Sequence, residues 1–280
     1  MIAHYRPKVL MLAIASMAAL GSPAFHSPAF QSPAFQSESD AAHRTTAPQD
    51  PKLARAFIDG AGPGFVPLTL KDFVNVNGDE TTWSENNGVI ACTGKPIGGA
   101  RSKQILTNFE LVAEWRHLEY AGNSGIFLWC PEAAFTDLAP GKLPRHGIEV
   151  QVLDLGYEEN WLKNKGAHSN WFTSHGDVFP VGNSKMEAFT PEIRYADDAG
   201  AKYVVGNAKS SRSFPTERLT KPRGEWNHYY IRAIAGEVRL WVNGREVNGG
   251  RRCQPSTGYL ALEAEGAKVE FRNLRLRELP

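Results

Sequence analysis

The chain has little cysteine, almost no net charge and no apolar run long enough to cross a bilayer, and each shortage removes a class of function. Three cysteines in 280 residues, Cys92, Cys130 and Cys253, lie far apart with no CxxC spacing. That excludes a disulfide framework and a zinc site built on cysteine alone. One pair could bridge in an oxidising compartment, leaving one free thiol; set in or beside apolar runs, the three also suit small buried hydrophobes. The 31 basic and 30 acidic residues leave a net charge of +1, so no field of one sign steers nucleic acid or an anionic membrane surface. No HxH or HExxH spacing occurs, and no segment reads as a convincing amphipathic helix. What remains is ordinary globular composition, 42% hydrophobic and 22% charged, enough to bury a real core.

The longest apolar run is VLMLAIASMAAL, Val9 to Leu20, behind a basic stretch containing His4, Arg6 and Lys8. It falls short of the roughly 20 residues a spanning helix needs and matches the hydrophobic region of an export signal. Ala19-Leu20-Gly21 offers small residues for cleavage, so residues 1–21 read as a signal peptide and the mature chain as secreted or periplasmic, with no stable membrane insertion. SPAF follows three times within residues 22–36. Its prolines block helix, and residues 22–61 read as an extended linker.

From Gly62 to Pro280 short β-rich runs recur between Gly, Asn and Pro, among them FELVAEWRHL (109–118), SGIFLWC (124–130), IEVQVLDL (148–155), NHYYIRAI (227–234), GYLALEAE (258–265) and VEFRNLRLREL (269–279). Such regular strands predict an all-β sandwich of two antiparallel sheets. Asn243-Gly244 predicts a two-residue hairpin turn. Residues 131–147 and 156–200 read as long loops, and Tyr157, Trp161 and Trp171 suggest that they are ordered over a site.

The stretch HGIEVQVLD, His146 to Asp154, concentrates the candidate chemistry. Alternation sends Ile148, Val150 and Val152 to the core and leaves Glu149 and Gln151 on the other face. A β-bulge after Gln151 would set Asp154 beside them. The resulting E-x-Q-x-x-D is similar to the E-x-D-x-x-E strand of retaining β-glucanases on the concanavalin-like jelly roll. Retaining hydrolysis needs two carboxyl groups about 5–5.5 Å apart, and Gln151 and the shorter Asp154 argue against it. Glu263 and Glu265 share a face of GYLALEAEG, as do Glu110, Glu114 and Arg116 of FELVAEWRHL. If these strands turn their polar faces to one concave surface, they line a cleft suited to sugars; otherwise they are outer faces of a sandwich. Among His146, His168 and His175, the glycine in His175-Gly176-Asp177 would let the backbone approach a ligand, which favours His175 for proton transfer and Asp177 for binding.

Together NSGIFLW (123–129), GIEVQVLD (147–154), GEWNHYYIRA (224–233), WVNGREV, GYLALEAEG and VEFRNLRLREL resemble, in order and spacing, the 3-keto-disaccharide hydrolase domain family. The resemblance implies a concanavalin-like jelly roll with a sugar cleft on its concave side and an exported enzyme acting on glycosides oxidised at C3. A ketone at C3 acidifies the C2 hydrogen, so a general base can remove it, the C1 substituent can leave with help from an acid, and water can add back. Carried onto this chain, Glu149, Gln151 and Asp154 fall on the family's E-x-Q-x-x-D strand, and Glu263 and Glu265 fall where many members carry Gln and His. The expected catalytic set is Glu149, Asp154 and His175. The expected substrate-binding set is Gln151, Glu263, Glu265, Trp161, Trp171, Asp177 and Arg116, with an oligosaccharide or glycoside as partner. Clustered acids would favour a divalent cation held through oxygen. A non-catalytic lectin-like module docking glycans through Trp161 and Trp171 is the alternative, and a retaining glucanase the least favoured.

Overall fold

The computed structural model describes residues 57–136 and 138–280; the expected signal peptide and the SPAF repeats lie outside them. The strands are β1 (Val66–Pro67), β2 (Phe73–Val76), β3 (Trp83–Asn86), β4 (Val89–Cys92), β5 (Gly98–Leu106), β6 (Asn108–His117), β7 (Asn123–Cys130) and β8 (Gly147–Leu153). Helix α1 (Leu155–Lys165) interrupts them. There follow β9 (Val178–Val181), β10 (Lys185–Ala188), β11 (Glu192–Ala196), β12 (Lys202–Gly206), β13 (Asn227–Ile234), β14 (Glu237–Val242), β15 (Arg245–Gln254), β16 (Gly258–Ala264) and β17 (Val269–Leu279).

Nine strands form one sheet, in order β10-β15-β14-β13-β6-β17-β4-β3 with β1 added to β17; six form the other, β2-β5-β16-β7-β8-β9. Strands β11 and β12 make a separate hairpin. The two large sheets stack as the expected antiparallel jelly-roll sandwich. Their inner faces supply one core: Leu111, Ala113 and Trp115 with Tyr229, Ile231 and Ala233 from the larger sheet, and Ile126, Leu128, Ile148, Val150, Val152 and Leu262 from the smaller. Each fully buried aliphatic side chain contributes about 1.5–3 kcal/mol. Trp115 meets the Tyr229 ring edge-on at 5.3 Å, and the Tyr229 hydroxyl donates to the Gln151 carbonyl at 2.9 Å, tying the sheets together. The β14–β15 turn is the expected Asn243-Gly244, with φ of 49° and 92°, the positive values that favour this pair.

Two expectations fail. Residues 156–200 are no long loop, since they hold most of α1 and the strands β9, β10 and β11. Helix α1 has mixed polarity on every side, so periodicity missed it. Its ends are nonetheless marked: Asp154 accepts from Gly156 N at the N-cap, and Gly166 closes the C-terminus at φ 70°. In addition, β8 runs against β7 in unbroken register from Leu128↔Ile148 to Asn123↔Leu153. There is no bulge after Gln151, and Asp154 leaves the sheet to start the helix.

Candidate active site

Three adjacent strands of the smaller sheet, β16, β7 and β8, build the site. Ile148, Val150 and Val152 point to the core, so alternation turns Glu149 and Gln151 to the outer face. Pairing of Ala261 with Phe127 and Leu262 with Ile126 carries Glu263 alongside Gly125, which itself faces Gln151. Gly125 is the spacer. A Cβ added there would come under 3.0 Å from carboxylate oxygens of both Glu263 and Glu149. Two acids from different strands therefore close over one glycine, and the absent side chain is what lets them meet. Glu149 and Glu263 thus share one face of the sheet.

Burial governs their chemistry. Glu149 is 7% exposed and Glu263 1% exposed, and neither carboxylate oxygen of Glu263 has a hydrogen-bond partner. Desolvation, then the charges of Glu149 and Glu265, push Glu263 well above the usual carboxylate range. Desolvation and the neighbouring Glu265 raise Glu149 to about 8, with the Arg212 charge pulling the other way. Glu265, just past β16, is raised to about 7 by burial and held down by a hydrogen bond from Asn123. Near neutral pH the row holds both a proton to donate and a carboxylate to accept one.

Arg212, which sequence patterning did not single out, organises one side. Its Nε donates to Asp177 at 2.7 Å and its Nη2 to Gln151 Oε1 at 2.9 Å, while its guanidinium lies 3.8 Å from the centre of the Phe179 ring. Gln151 then donates to Asn123 Oδ1 at 2.8 Å and to the Ser124 carbonyl at 3.1 Å. Asp177, fully buried, also accepts from the backbone and hydroxyl of Thr173 at 2.8 and 2.5 Å. Gln151 and Asp177 thus belong to the site as braces on the arginine. Nothing in SSRSFP announces Arg212, because its role depends on contacts made across 61 residues of sequence. Asn123 and Gly125 lay within a quoted motif but carried no charge to draw notice.

The remaining candidates sit elsewhere. Asp154 is a helix cap, accepting from Ala121 N at 2.8 Å and Gly156 N at 3.1 Å. The strand lacks the bulge that would bring it to Glu149. Arg116 belongs to β6 in the other sheet, paired with Glu270 at 2.7 Å and stacked 4.5 Å from the Trp226 ring centre. Its face-mates Glu110 and Glu114 are likewise tied, to Arg277 and Arg272. That row is the outer face of the larger sheet, so two strands, not three, contribute the acids. His175 accepts from Thr220 N at 3.3 Å through Nδ1, and the glycine after it faces Leu240, Val242 and the Tyr229 hydroxyl. The backbone there approaches the core, and His175 lines a recess with α1 that none of Glu149, Glu263 and Glu265 lines. His146 accepts from Asn183 N on the surface, and His168 pairs with Asp197 at 3.4 Å. Trp171, 51% exposed, has its ring 5.7 Å from the Arg212 guanidinium and stands at the rim. Trp161 meets Trp171 edge-on at 6.1 Å and lines a different recess on α1 with Tyr157 and Asn160. Among the described residues no group of three or more His, Cys, Asp or Glu side chains has metal-holding geometry. The three cysteines are buried and unbridged.

Comparison with known proteins places this geometry in a family. No curated protein matches the chain. Solved structures of similar shape include a provisionally assigned glycosyl hydrolase from Parabacteroides distasonis (18% identity, 78% of this chain and 94% of that one, TM-score 0.49). A carbohydrate-binding module, CBM66, from Bacillus subtilis follows (12%, 74% and 96%, TM-score 0.46), with a β-glucanase from Bacillus licheniformis (9%, 80% and 96%, TM-score 0.38). Residues 63–277 match the 3-keto-alpha-glucoside-1,2-lyase-like domain, a span that takes in every strand of the acid row and Arg212, and the chain belongs to that family.

Proposed function

We propose that the protein is an exported carbohydrate-active enzyme that cleaves 3-keto-glycosides by elimination at C1–C2, followed by addition of water. Family membership supports the substrate class, and the basic stretch and apolar run before Gly21 support export. The observation that carries the reaction type is the pair of buried acids closing over Gly125, one of them without any partner.

Glu149, with Arg212 favouring its charged form, is the base. It takes the C2 hydrogen, and the electron pair passes into the C3 carbonyl as an enolate. When the enolate collapses, C1–C2 becomes a double bond and the C1–O bond breaks. Glu263, kept protonated by burial, gives its proton to the departing oxygen. The Arg212 guanidinium provides positive charge beside the row for the enolate. Water then adds at C1, a proton returns to C2 and the carboxyls are restored, for net hydrolysis. No tuned nucleophile is required, in keeping with Gln151, two residues after Glu149 on β8, binding Arg212. The lectin-like reading fits less well: Trp161 and Trp171 meet at 74° and offer no flat platform, and converging buried acids with displaced pKa values mark reactive sites.

The test is incubation of the full chain with a 3-keto-glucoside and with the same glycoside unoxidised, each with and without chelator. Release from the keto sugar alone, abolished in Glu149→Gln, is the expected outcome. Binding without release would favour the lectin-like module, and release from the plain glycoside would favour a conventional glycosidase.

A further inference from the structure

A cleft of about 540 Å³ opens between α1 and the β11–β12 hairpin, and none of Glu149, Glu263 and Glu265 lines it. Its inner end holds two buried polar atoms without partners, His175 Nε2 and Thr220 Oγ1. His175 is only 4% exposed. Because its Nδ1 accepts from Thr220 N, the ring hydrogen sits on Nε2. Burial and the Arg218 charge keep the imidazole neutral, holding it well below its usual range. Glu158 Oε1 is 4.0 Å from it, too far for a hydrogen bond, and already accepts from Ser174 N at 2.5 Å. A buried donor left unmade is costly and rare in a folded protein.

The walls are as ordered as the floor is unsatisfied. Arg218 donates to Glu158 at 2.7 Å and to the Tyr203 hydroxyl at 2.8 Å. His168 stacks on Tyr203 at 3.9 Å and 10° and reaches Asp197. Glu159 and Asp198 add acceptors at the mouth. The excess of carboxylates repels an anion, and the inward donor of His175 beside Arg218 disfavours a cation. A hydroxyl group suits both ends, accepting from His175 and donating to a carboxylate, and the volume holds a sugar ring.

We infer that this cleft is a second, non-catalytic subsite for a neutral sugar, gripped through its hydroxyls by His175 and Thr220 within and by the carboxylates of α1 at the mouth. The choice of a sugar among polyhydroxylated ligands rests on the function proposed above. Binding of an unoxidised sugar there does not depend on turnover, so the two readings fail separately. The experiment is titration of the full chain with maltose, following the His175 ring nitrogens by NMR and the affinity by calorimetry. Saturable binding that moves the His175 Nε2 resonance is expected, weakened at least tenfold in His175→Phe. Glu159→Ala, on the exposed wall, is expected to weaken it several-fold while leaving the melting temperature unchanged, and decides the matter if His175→Phe fails to fold. An unmoved His175 signal at saturating maltose, or binding undiminished in Glu159→Ala and in a folded His175→Phe, would overturn the inference. Loss of keto-sugar turnover with maltose binding intact would overturn only the proposed reaction.

Discussion

Replacing Glu149 with Gln removes a charge that the fold holds at a cost, so the structure predicts a variant more stable than the parent at alkaline pH. The carboxyl titrates near 4.5 in the unfolded chain and at about 8 in the folded protein. Between those values the folded state binds more protons than the unfolded one, so stability falls as pH rises. The penalty is fully absent below pH 4.5 and complete above pH 8. At about 1.36 kcal/mol per pKa unit, it reaches roughly 4 kcal/mol at pH 8 and under about 1 kcal/mol at pH 5. Glu149 is 7% exposed, so solvent screening takes little from this figure. Gln keeps the shape and loses the charge. In urea unfolding, Glu149→Gln is expected to gain roughly 4 kcal/mol over the parent at pH 8 and little at pH 5, while losing turnover. For a domain of this size the gain at pH 8 corresponds to about 8–16 °C in melting temperature. A stability difference that does not vary with pH, or a variant less stable than the parent at pH 8, would refute the charge assignment.

Three further outcomes follow from the same geometry. The pH–rate profile on a keto-glycoside is expected to be bell-shaped, rising between about pH 7 and 8 as the Glu149–Glu265 group ionises and falling at higher pH as Glu263 loses its proton; a flat profile from pH 5 to 9 would contradict it. Arg212→Ala leaves Asp177, fully buried, without its ion pair and is expected to cost about 3–5 kcal/mol in urea unfolding; a loss under about 1 kcal/mol would show that Arg212 is not the brace described. Asp154→Ala removes a helix cap and is expected to cost about 0.5–2 kcal/mol with kcat unchanged; a large fall in kcat in the folded variant would return Asp154 to the reaction.

The sandwich was legible because alternation is a local signal. Ile148, Val150 and Val152 read correctly as inward, NHYYIRAI and VEFRNLRLREL became strands over their quoted spans, and Asn243-Gly244 turned as its positive φ values require. The β5 segment, GGARSKQIL, escaped notice because its glycines and charges hide any period. On the site, Glu149, Gln151 and Glu263 were found because each sits on a strand whose alternation fixes its face. Which sheet a strand joins is a long-range matter. The acids of β6 therefore looked equivalent to Glu263 of β16 and Glu265 just past it, and only the strand order separates them. Arg212 comes from an irregular segment far along the chain, with no periodicity to betray its direction. Asp154 misled because an acid at a strand end and an acid capping the following helix are the same letters; the difference lies in an unbroken register.

The central claim is that Glu149 removes the hydrogen at C2 before the C1–O bond breaks. A 3-keto-glucoside carrying deuterium at C2, cleaved in ordinary water and sampled at early times by NMR, tests it directly. The account predicts that cleavage is several-fold slower than with hydrogen at C2, a primary isotope effect, and that Glu149→Gln leaves the label in unreacted substrate. Cleavage at the same rate for both isotopes, with the deuterium kept in the product, would mean that C1 is attacked without elimination, and the buried acids over Gly125 would need another role.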